Sequence, residues 1–76
     1  MSRKLPRVTA SQLLRALQRE GWEVKRQEGS HMQLKHPHRK GRITVAYHAG
    51  ATIKLKVLLS VLEQAQLTVE DLRRLL

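Results

Sequence analysis

The chain lacks cysteine and phenylalanine, and its 76 residues include only one tryptophan and one tyrosine. Without cysteine, disulfide bonds, thiolate metal sites and cysteine nucleophiles are excluded. The chain also lacks an apolar run of the roughly 20 residues that cross a bilayer, and its first residues lack the apolar stretch of a signal peptide. We therefore expect one cytoplasmic domain over residues 1–76, with no membrane partner, in which residues 1–7 form a loose basic arm.

Acidic residues are also scarce. The chain has 6 Asp and Glu but 15 Lys and Arg, which gives it a formal net charge of +9. Such a charge attracts polyanions, and phosphate contacts dominate the affinity of proteins for nucleic acids. The bases concentrate in the middle of the chain rather than on one helical face beside bulky apolar anchors, which favours nucleic acid over an anionic membrane. Two alternatives stay open: the charge serves solubility alone, or the basic surface binds an acidic protein.

Aliphatic residues are plentiful, and a helical period marks both ends of the chain. Near the start it predicts a helix over about 9–20, with Thr9 as the N-cap and Gly21 at the end. The same period returns over about 53–65 and predicts a second main helix. Thr68, followed by acidic residues in the next turn, opens a short last helix.

Between the two main helices, over residues 22–48, apolar and polar residues alternate with a period of two. This period predicts three antiparallel strands in a meander, with a tight turn at Gly29-Ser30. Together the elements predict an α+β fold, a two-layer sandwich in the order α-β-β-β-α with a short C-terminal helix. If the apolar face of the sheet packs on the helices, the open face carries Lys25, Gln27, His31, Gln33, Lys35, Arg42, Thr44 and His48. A bulge at Gly29 would break this alternation for the first strand.

His31 differs from the other histidines because it follows the Gly29-Ser30 turn and begins a strand on this cationic face. Small turn residues let a phosphate approach closely. Cleavage of RNA needs a base for the 2′-hydroxyl and cations for the phosphate, and a histidine among lysines and arginines supplies both. From the residues alone, a surface histidine that only packs on its neighbours is the alternative. His48 is a second candidate, as an acid or a phosphate ligand, and its alternative is a cap of the following turn.

Two further patterns resemble functional sites but do not predict a catalytic triad or a metal site. Ser30 lies beside His31, but no Ser–His–Asp set can be assembled around it. The His36-Pro37-His38 fragment suggests a metal site, yet proline holds the chain extended and the only acids in the central region are Glu23 and Glu28. We therefore expect neither a metal nor any other cofactor.

A set of short motifs occurs in a defined order along the chain. They are Gly21-Trp22 after the first helix, Gly29-Ser30-His31, His36-Pro37, Val45-Ala46-Tyr47-His48, Val61-Leu62-Glu63-Gln64-Ala65 and Leu67-Thr68-Val69-Glu70-Asp71-Leu72. With these motifs, residues 8–74 resemble the HicA (YcfA-like) mRNA interferase toxins of type II toxin–antitoxin systems. The chain departs from the family pattern at Ala46, where the family usually has proline, and at Lys56-Val57, where it tends to have Gly-Thr.

The resemblance implies a fold like that of a double-stranded-RNA-binding domain, ribosome-independent cleavage of mRNA, and neutralisation by a HicB-like antitoxin. It assigns the catalytic histidine to His31 and the turn glycine to Gly29. Single-stranded RNA would then lie on the open face, whose candidate RNA-binding residues are Gly29, Ser30, Lys25, Lys35, Arg42 and His48. Two alternatives are a binding module of the same fold without catalysis, and a chain that acts mainly as a subunit of a repressor complex.

Overall fold

The computed structural model describes residues 6–48 and 50–76. Within them, helices and strands follow in the order α1 (Ala10–Glu20), β1 (Glu23–Glu28), β2 (His31–Lys35), β3 (Ile43–Ala46), α2 (Leu55–Ala65) and α3 (Val69–Leu75). This order confirms the predicted α+β fold of the double-stranded-RNA-binding-domain type. Most of the predicted N-terminal arm, residues 1–5, lies outside the described residues.

Helix α1 forms because both of its ends are satisfied locally. At its start, the Thr9 hydroxyl accepts a hydrogen bond from the Gln12 backbone N–H at 3.2 Å, and the Gln12 side chain accepts one from the Thr9 N–H at 2.9 Å. This capping box supplies partners for donors that the first turn of a helix leaves free. At its end, Gly21 adopts φ +110° and its N–H donates back to the Gln18 carbonyl. The helix therefore begins and ends where the sequence predicts.

The three strands form an antiparallel sheet in the order β1-β2-β3, which places β2 at the centre. Between β2 and β3, Met32 lies opposite Val45 and Leu34 lies opposite Ile43. All four side chains are buried, so this face of the sheet forms one half of the core. The residues between them on β2 and β3 point to the other face, which is open.

Strand β1 changes its alternation at a bulge between Val24 and Arg26. A bulge adds one residue to one strand, so the residues beyond it exchange faces relative to an unbroken alternation. Beyond the bulge, Arg26 lies opposite Gln33 on the open face. The prediction that Gln27 lies on the open face is wrong, because Gln27 pairs with the inward-facing Met32.

The helices cover the inner face of the sheet and close a single core. Burial of each large aliphatic side chain in it contributes about 1.5–3 kcal/mol. No polar or charged residue is buried in the described part of the chain. The buried set is Val8, Ala10, Leu13, Ala16, Leu17, Trp22, Met32, Leu34, Ile43, Val45, Leu58, Val61, Leu62, Ala65, Leu67 and Leu72.

The segment that leads into α2 is tied to the start of α1. The Ala10 N–H donates to the Ala51 carbonyl at 3.0 Å, and the Ile53 N–H donates to the Val8 carbonyl at 2.8 Å. Helix α2 then begins after Lys54, whose side chain makes no capping hydrogen bond. Across residues 6–48 and 50–76, no helix has the length and apolarity needed to span a membrane.

Candidate functional site

The turn between β1 and β2 is two residues long, Gly29-Ser30. Gly29 has φ +57°, whereas Ser30 is not among the residues with positive φ. This combination is that of a type II′ turn, in which glycine occupies the first central position. A Cβ placed on Gly29 would meet no atom within 4 Å. Glycine is therefore required here for its backbone conformation, which starts β2 at His31.

His31 is the first residue of the central strand and is exposed on the open face. It lies opposite Glu28 of β1 on one side and opposite Ala46 of β3 on the other. Within the described residues, no hydrogen bond or ion pair engages its imidazole. Both ring nitrogens are therefore available to a ligand.

Two charged side chains near His31, those of Arg26 and Glu28, were not predicted on the open face. The prediction assumed an unbroken alternation along β1, whereas the bulge brings both side chains to that face. Glu28 lies directly opposite His31, and its Oε1 is 2.8 Å from Nε of Arg26. Both side chains are mostly exposed, so their ion pair contributes less than about 1 kcal/mol and gives way readily to a ligand. A negative charge thus lies beside the candidate catalytic histidine.

Lys25 and Lys35 gather at the other end of the open face. Glu23 lies opposite Lys35 in the register, and its Oε1 is 3.0 Å from Nζ of Lys25. Both lysines line a shallow pocket with His36 and Pro37. Because Lys35 follows His31 by four residues on the same strand, the two lie about 13 Å apart along β2. The structure therefore does not bring these lysines next to His31.

The Arg42 side chain reaches from the Lys35 end of the open face towards its middle. Arg42 immediately precedes β3, and its Nη1 donates to Oε1 of Gln33 at 3.3 Å. Gln33 is two residues from His31, about 7 Å along the strand. The structure thus arranges a row from Lys35 through Arg42 to His31, about 13 Å long.

His48 lies beyond the end of β3, two residues after Ala46. It lines a groove of about 240 Å³ between the end of β3 and the start of α2, together with Ala46, Ile53, Lys54 and Val57. Ala46 separates it from His31, which lies opposite Ala46 on the neighbouring strand. His48 is therefore at the edge of the sheet and not on the row that leads to His31.

His36 belongs to the framework rather than to the open face. Its Nδ1 accepts a hydrogen bond from the His38 backbone N–H at 3.0 Å, so its Nε2 carries the proton and donates to the Glu20 carbonyl at 3.0 Å. Its ring also contacts the edge of Trp22, with centroids 5.3 Å apart. Over the described residues, no group of three or more His, Cys, Asp or Glu is arranged to hold a metal ion.

Residues 10–67 match the family described as the HicA toxin of bacterial toxin–antitoxin systems. The chain belongs to the HicA toxin family. It is therefore a toxin of a toxin–antitoxin pair. No curated protein matches the sequence.

The match to the HicA family begins at the first residue of α1 and ends at Leu67, before α3. It contains the Gly29-Ser30-His31 turn and all three strands. It also spans both departures from the family pattern. Ala46 ends β3, and Lys56 and Val57 lie in the first turn of α2.

Proposed function

We propose that this HicA toxin is a ribosome-independent endoribonuclease that cleaves mRNA, with His31 as its catalytic residue. The supporting observation is an imidazole without a partner in the described chain, at the start of the central strand, on an open face that carries cations. A histidine in that position is free to exchange a proton with substrate. The family match and the Gly29-Ser30-His31 motif support the same assignment.

Cleavage in this proposal uses the 2′-hydroxyl of RNA as the nucleophile. His31 takes its proton as a general base, the 2′-oxygen bonds to phosphorus, and the bond to the 5′-oxygen of the next nucleotide breaks. The leaving oxygen receives a proton from an acid, for which His31 itself or His48 is the candidate. Each step uses side chains of the chain or solvent, so the proposal needs no cofactor.

The phosphodiester in this proposal is held by cations on the open face. Arg26, in its ion pair with Glu28, is the cation nearest to His31. Among the predicted cations, Arg42 reaches furthest towards His31, and its guanidinium forms paired hydrogen bonds with phosphate oxygens. Lys25 and Lys35 bind phosphates further along the strand. Because Gly29 and Ser30 form a tight turn with open space around it, the RNA backbone can approach His31 from that end.

Neutralisation in this proposal comes from a HicB-like antitoxin. The family match shows a toxin of a toxin–antitoxin pair. A net charge of +9 favours an acidic partner over the same surface that attracts RNA. Since the proposed substrate is mRNA, the proposed site of the reaction is the cytoplasm.

The test compares wild type with His31→Ala in an assay of mRNA cleavage and in growth inhibition. His38→Ala is the matched control, because His38 is also exposed but lies in the loop between β2 and β3. We expect His31→Ala to lose about 100-fold or more of the cleavage rate, as removal of a general base does, and His38→Ala to keep it. Full cleavage and full growth inhibition by His31→Ala would contradict the assignment.

The alternative function is a binding module of the same fold without catalysis. Double-stranded-RNA-binding domains recognise the A-form helix through its backbone and 2′-hydroxyls, and the cationic open face suits such contacts. A sample that shifts duplex RNA in a gel but leaves single-stranded message intact would favour this alternative. Cleavage of single-stranded message that depends on His31 would exclude it.

A further inference from the structure

The outer edge of β3 is unpaired in the described part of the chain. Strand β3 is last in the sheet order, so it has a neighbour on one side only. The Tyr47 N–H donates to the Ser30 carbonyl, which shows that Tyr47 turns its backbone towards β2. Backbone direction alternates along a strand, so the N–H and C=O of Ala46 and Thr44 point away from the sheet.

The two edges of the sheet differ in how they resist further pairing. Strand β1 carries four charged side chains and a bulge after Val24, and both features discourage an added strand. Strand β3, Ile43-Thr44-Val45-Ala46, carries no charge and no bulge in its register with β2. The edge of β3 is therefore the one that can accept another strand.

An apolar groove lies at the Ala46 end of this edge. It is lined by Ala46 of the strand, Ile53 of the segment before α2 and Val57 of α2. Val57 is 39% exposed, although it is a large apolar residue. Lys54 also lines the groove, so a cation lies beside the apolar side chains. Such a groove suits apolar side chains of a segment that also carries negative charge.

We propose that the antitoxin adds an extended segment to the outer edge of β3, as a fourth antiparallel or parallel strand whose apolar and acidic side chains alternate. Main-chain pairing with Thr44 and Ala46 supplies affinity, as in other cases of strand addition. Successive side chains of a strand point to opposite faces. One set enters the groove beside Val57, and the other set lies on the open face near Arg42 and is acidic.

Charge favours the antitoxin segment over a second copy of the toxin at the edge of β3. Two copies paired at β3 would bring together two chains that each carry a net charge of +9. Like charges across an interface cost several kcal/mol, whereas an acidic partner gains from the same field. The inference rests on the proposed neutralisation by an antitoxin and specifies how that partner binds.

The position of the edge also explains how binding would block the toxin. Ala46 is the register partner of His31. A segment paired with Ala46 lies two strand spacings from His31, about 10 Å. Its acidic side chains on the open face would then occupy the path of the RNA backbone towards His31.

The first test measures water exchange of backbone amides by NMR, with a blocked ten-residue peptide in which valine and glutamate alternate. A peptide of the same composition, with its valines in one block and its glutamates in another, is the control. We expect only the alternating peptide to slow exchange at Thr44 and Ala46, by tenfold or more at saturation. The Val45 amide points towards β2 and should stay protected throughout. Absence of binding, or unchanged exchange at Thr44 and Ala46, overturns the proposal.

The second test uses the full antitoxin encoded with the toxin and compares Ala46→Pro with Ala46→Thr. Proline is tolerated on a free strand edge but removes the outward N–H, whereas threonine keeps it. Loss of that hydrogen bond should weaken antitoxin binding about tenfold in Ala46→Pro and leave Ala46→Thr close to wild type. Equal binding by the two variants, with matched thermal unfolding, contradicts the edge pairing.

A third measurement tests whether a second copy of the toxin, rather than the antitoxin, pairs with the edge of β3. If the toxin alone sediments as a dimer with slow exchange at Thr44 and Ala46, a second copy occupies the edge and the proposal is wrong. None of these measurements contains RNA, so each is decided independently of catalysis. If His31→Ala kept full cleavage while the edge amides became protected, the endoribonuclease assignment would fail and the docking site would stand.

Discussion

Glycines at two turns show how single residues position the candidate site. Gly29 has φ +57° with open space around it, and Gly21 has φ +110° with His36 packed against it. The first needs glycine for its backbone conformation alone. The second needs glycine for its conformation and for the close approach of a neighbouring ring. These two requirements predict different mutational costs.

Gly29→Ala should destabilise the fold by about 1–2 kcal/mol, the cost of a left-handed conformation for a residue with a Cβ. No steric clash adds to this cost, since the new methyl group meets no atom within 4 Å. Urea unfolding measures the difference. Ser30→Ala is the matched control, because Ser30 lies in the same turn but has no positive φ. Equal costs for the two substitutions would contradict the turn assignment.

Gly21→Ala should cost more than Gly29→Ala, because its Cβ would lie 2.6 Å from Nε2 of His36. His36→Ala alone should also destabilise, by loss of its hydrogen bond to Glu20 and its contact with Trp22. The double variant avoids the clash, so its cost should fall below the sum of the single costs by about 1 kcal/mol. A thermodynamic cycle from urea unfolding measures this coupling. Additive costs would show that His36 does not constrain Gly21.

At the scale of elements, local sequence signals determine where the helices begin, whereas strand pairing determines which face of the sheet each strand residue occupies. The capping boxes at Thr9 and Thr68 involve residues three apart in the chain, so both helix starts can be predicted from the sequence. The bulge after Val24 exists only in the pairing of β1 with β2. A prediction based on the alternation of β1 alone therefore assigned Gln27 to the wrong face of the sheet and did not place Glu28 on the open face.

The start of α3 gives a pH-dependent prediction. A backbone hydrogen bond from Thr68, above all, lowers the pKa of Asp71 below its ordinary value of 3.8, with further contributions from the Thr68 side chain and Arg74. The folded pKa lies below the unfolded one, so Asp71 stabilises the fold above about pH 4. That contribution is lost as the pH falls through the folded pKa.

Asp71→Asn should therefore unfold at lower urea concentration than wild type near neutral pH, and this difference should shrink as the pH falls below 3.8. Glu70→Gln is the matched control, because Glu70 lies in the same helical turn but pairs with Arg73 rather than with the helix start. A difference between wild type and Asp71→Asn that stays constant from neutral pH to about pH 2 would exclude this role of the carboxylate.

At the scale of the whole molecule, the placement of charge is the feature that relates fold to proposed function. The net charge is +9, and the open face of the sheet carries several of the cations together with a histidine that has no partner in the described chain. Binding of RNA through phosphate contacts releases counterions and weakens as salt rises. The cations of the open face should therefore determine the salt dependence of RNA binding.

Arg42→Gln and Lys35→Gln should each weaken binding of single-stranded RNA and lower the slope of log K against log salt by about 0.7. The effect should be similar for RNAs of different sequence, because phosphate contacts carry no sequence information. Arg15→Gln, the same loss of charge on the exposed side of α1, is the control and should leave the slope unchanged. Equal slopes for all three variants would place the RNA elsewhere. Titrations at several salt concentrations provide the measurement.

By itself, the sequence determined the fold class, the helix ends, the Gly29-Ser30 turn and the position of His31 at the start of a strand. Each of these depends on residues close together in the chain, through caps, turn glycines and the period of apolar side chains. Only the tertiary structure decided which charges surround His31, that Lys25 and Lys35 lie at the far end of the sheet, and that the outer edge of β3 pairs with no other strand within residues 6–48 and 50–76. Those features depend on strand register, which is set by long-range pairing and is shifted by a single bulged residue.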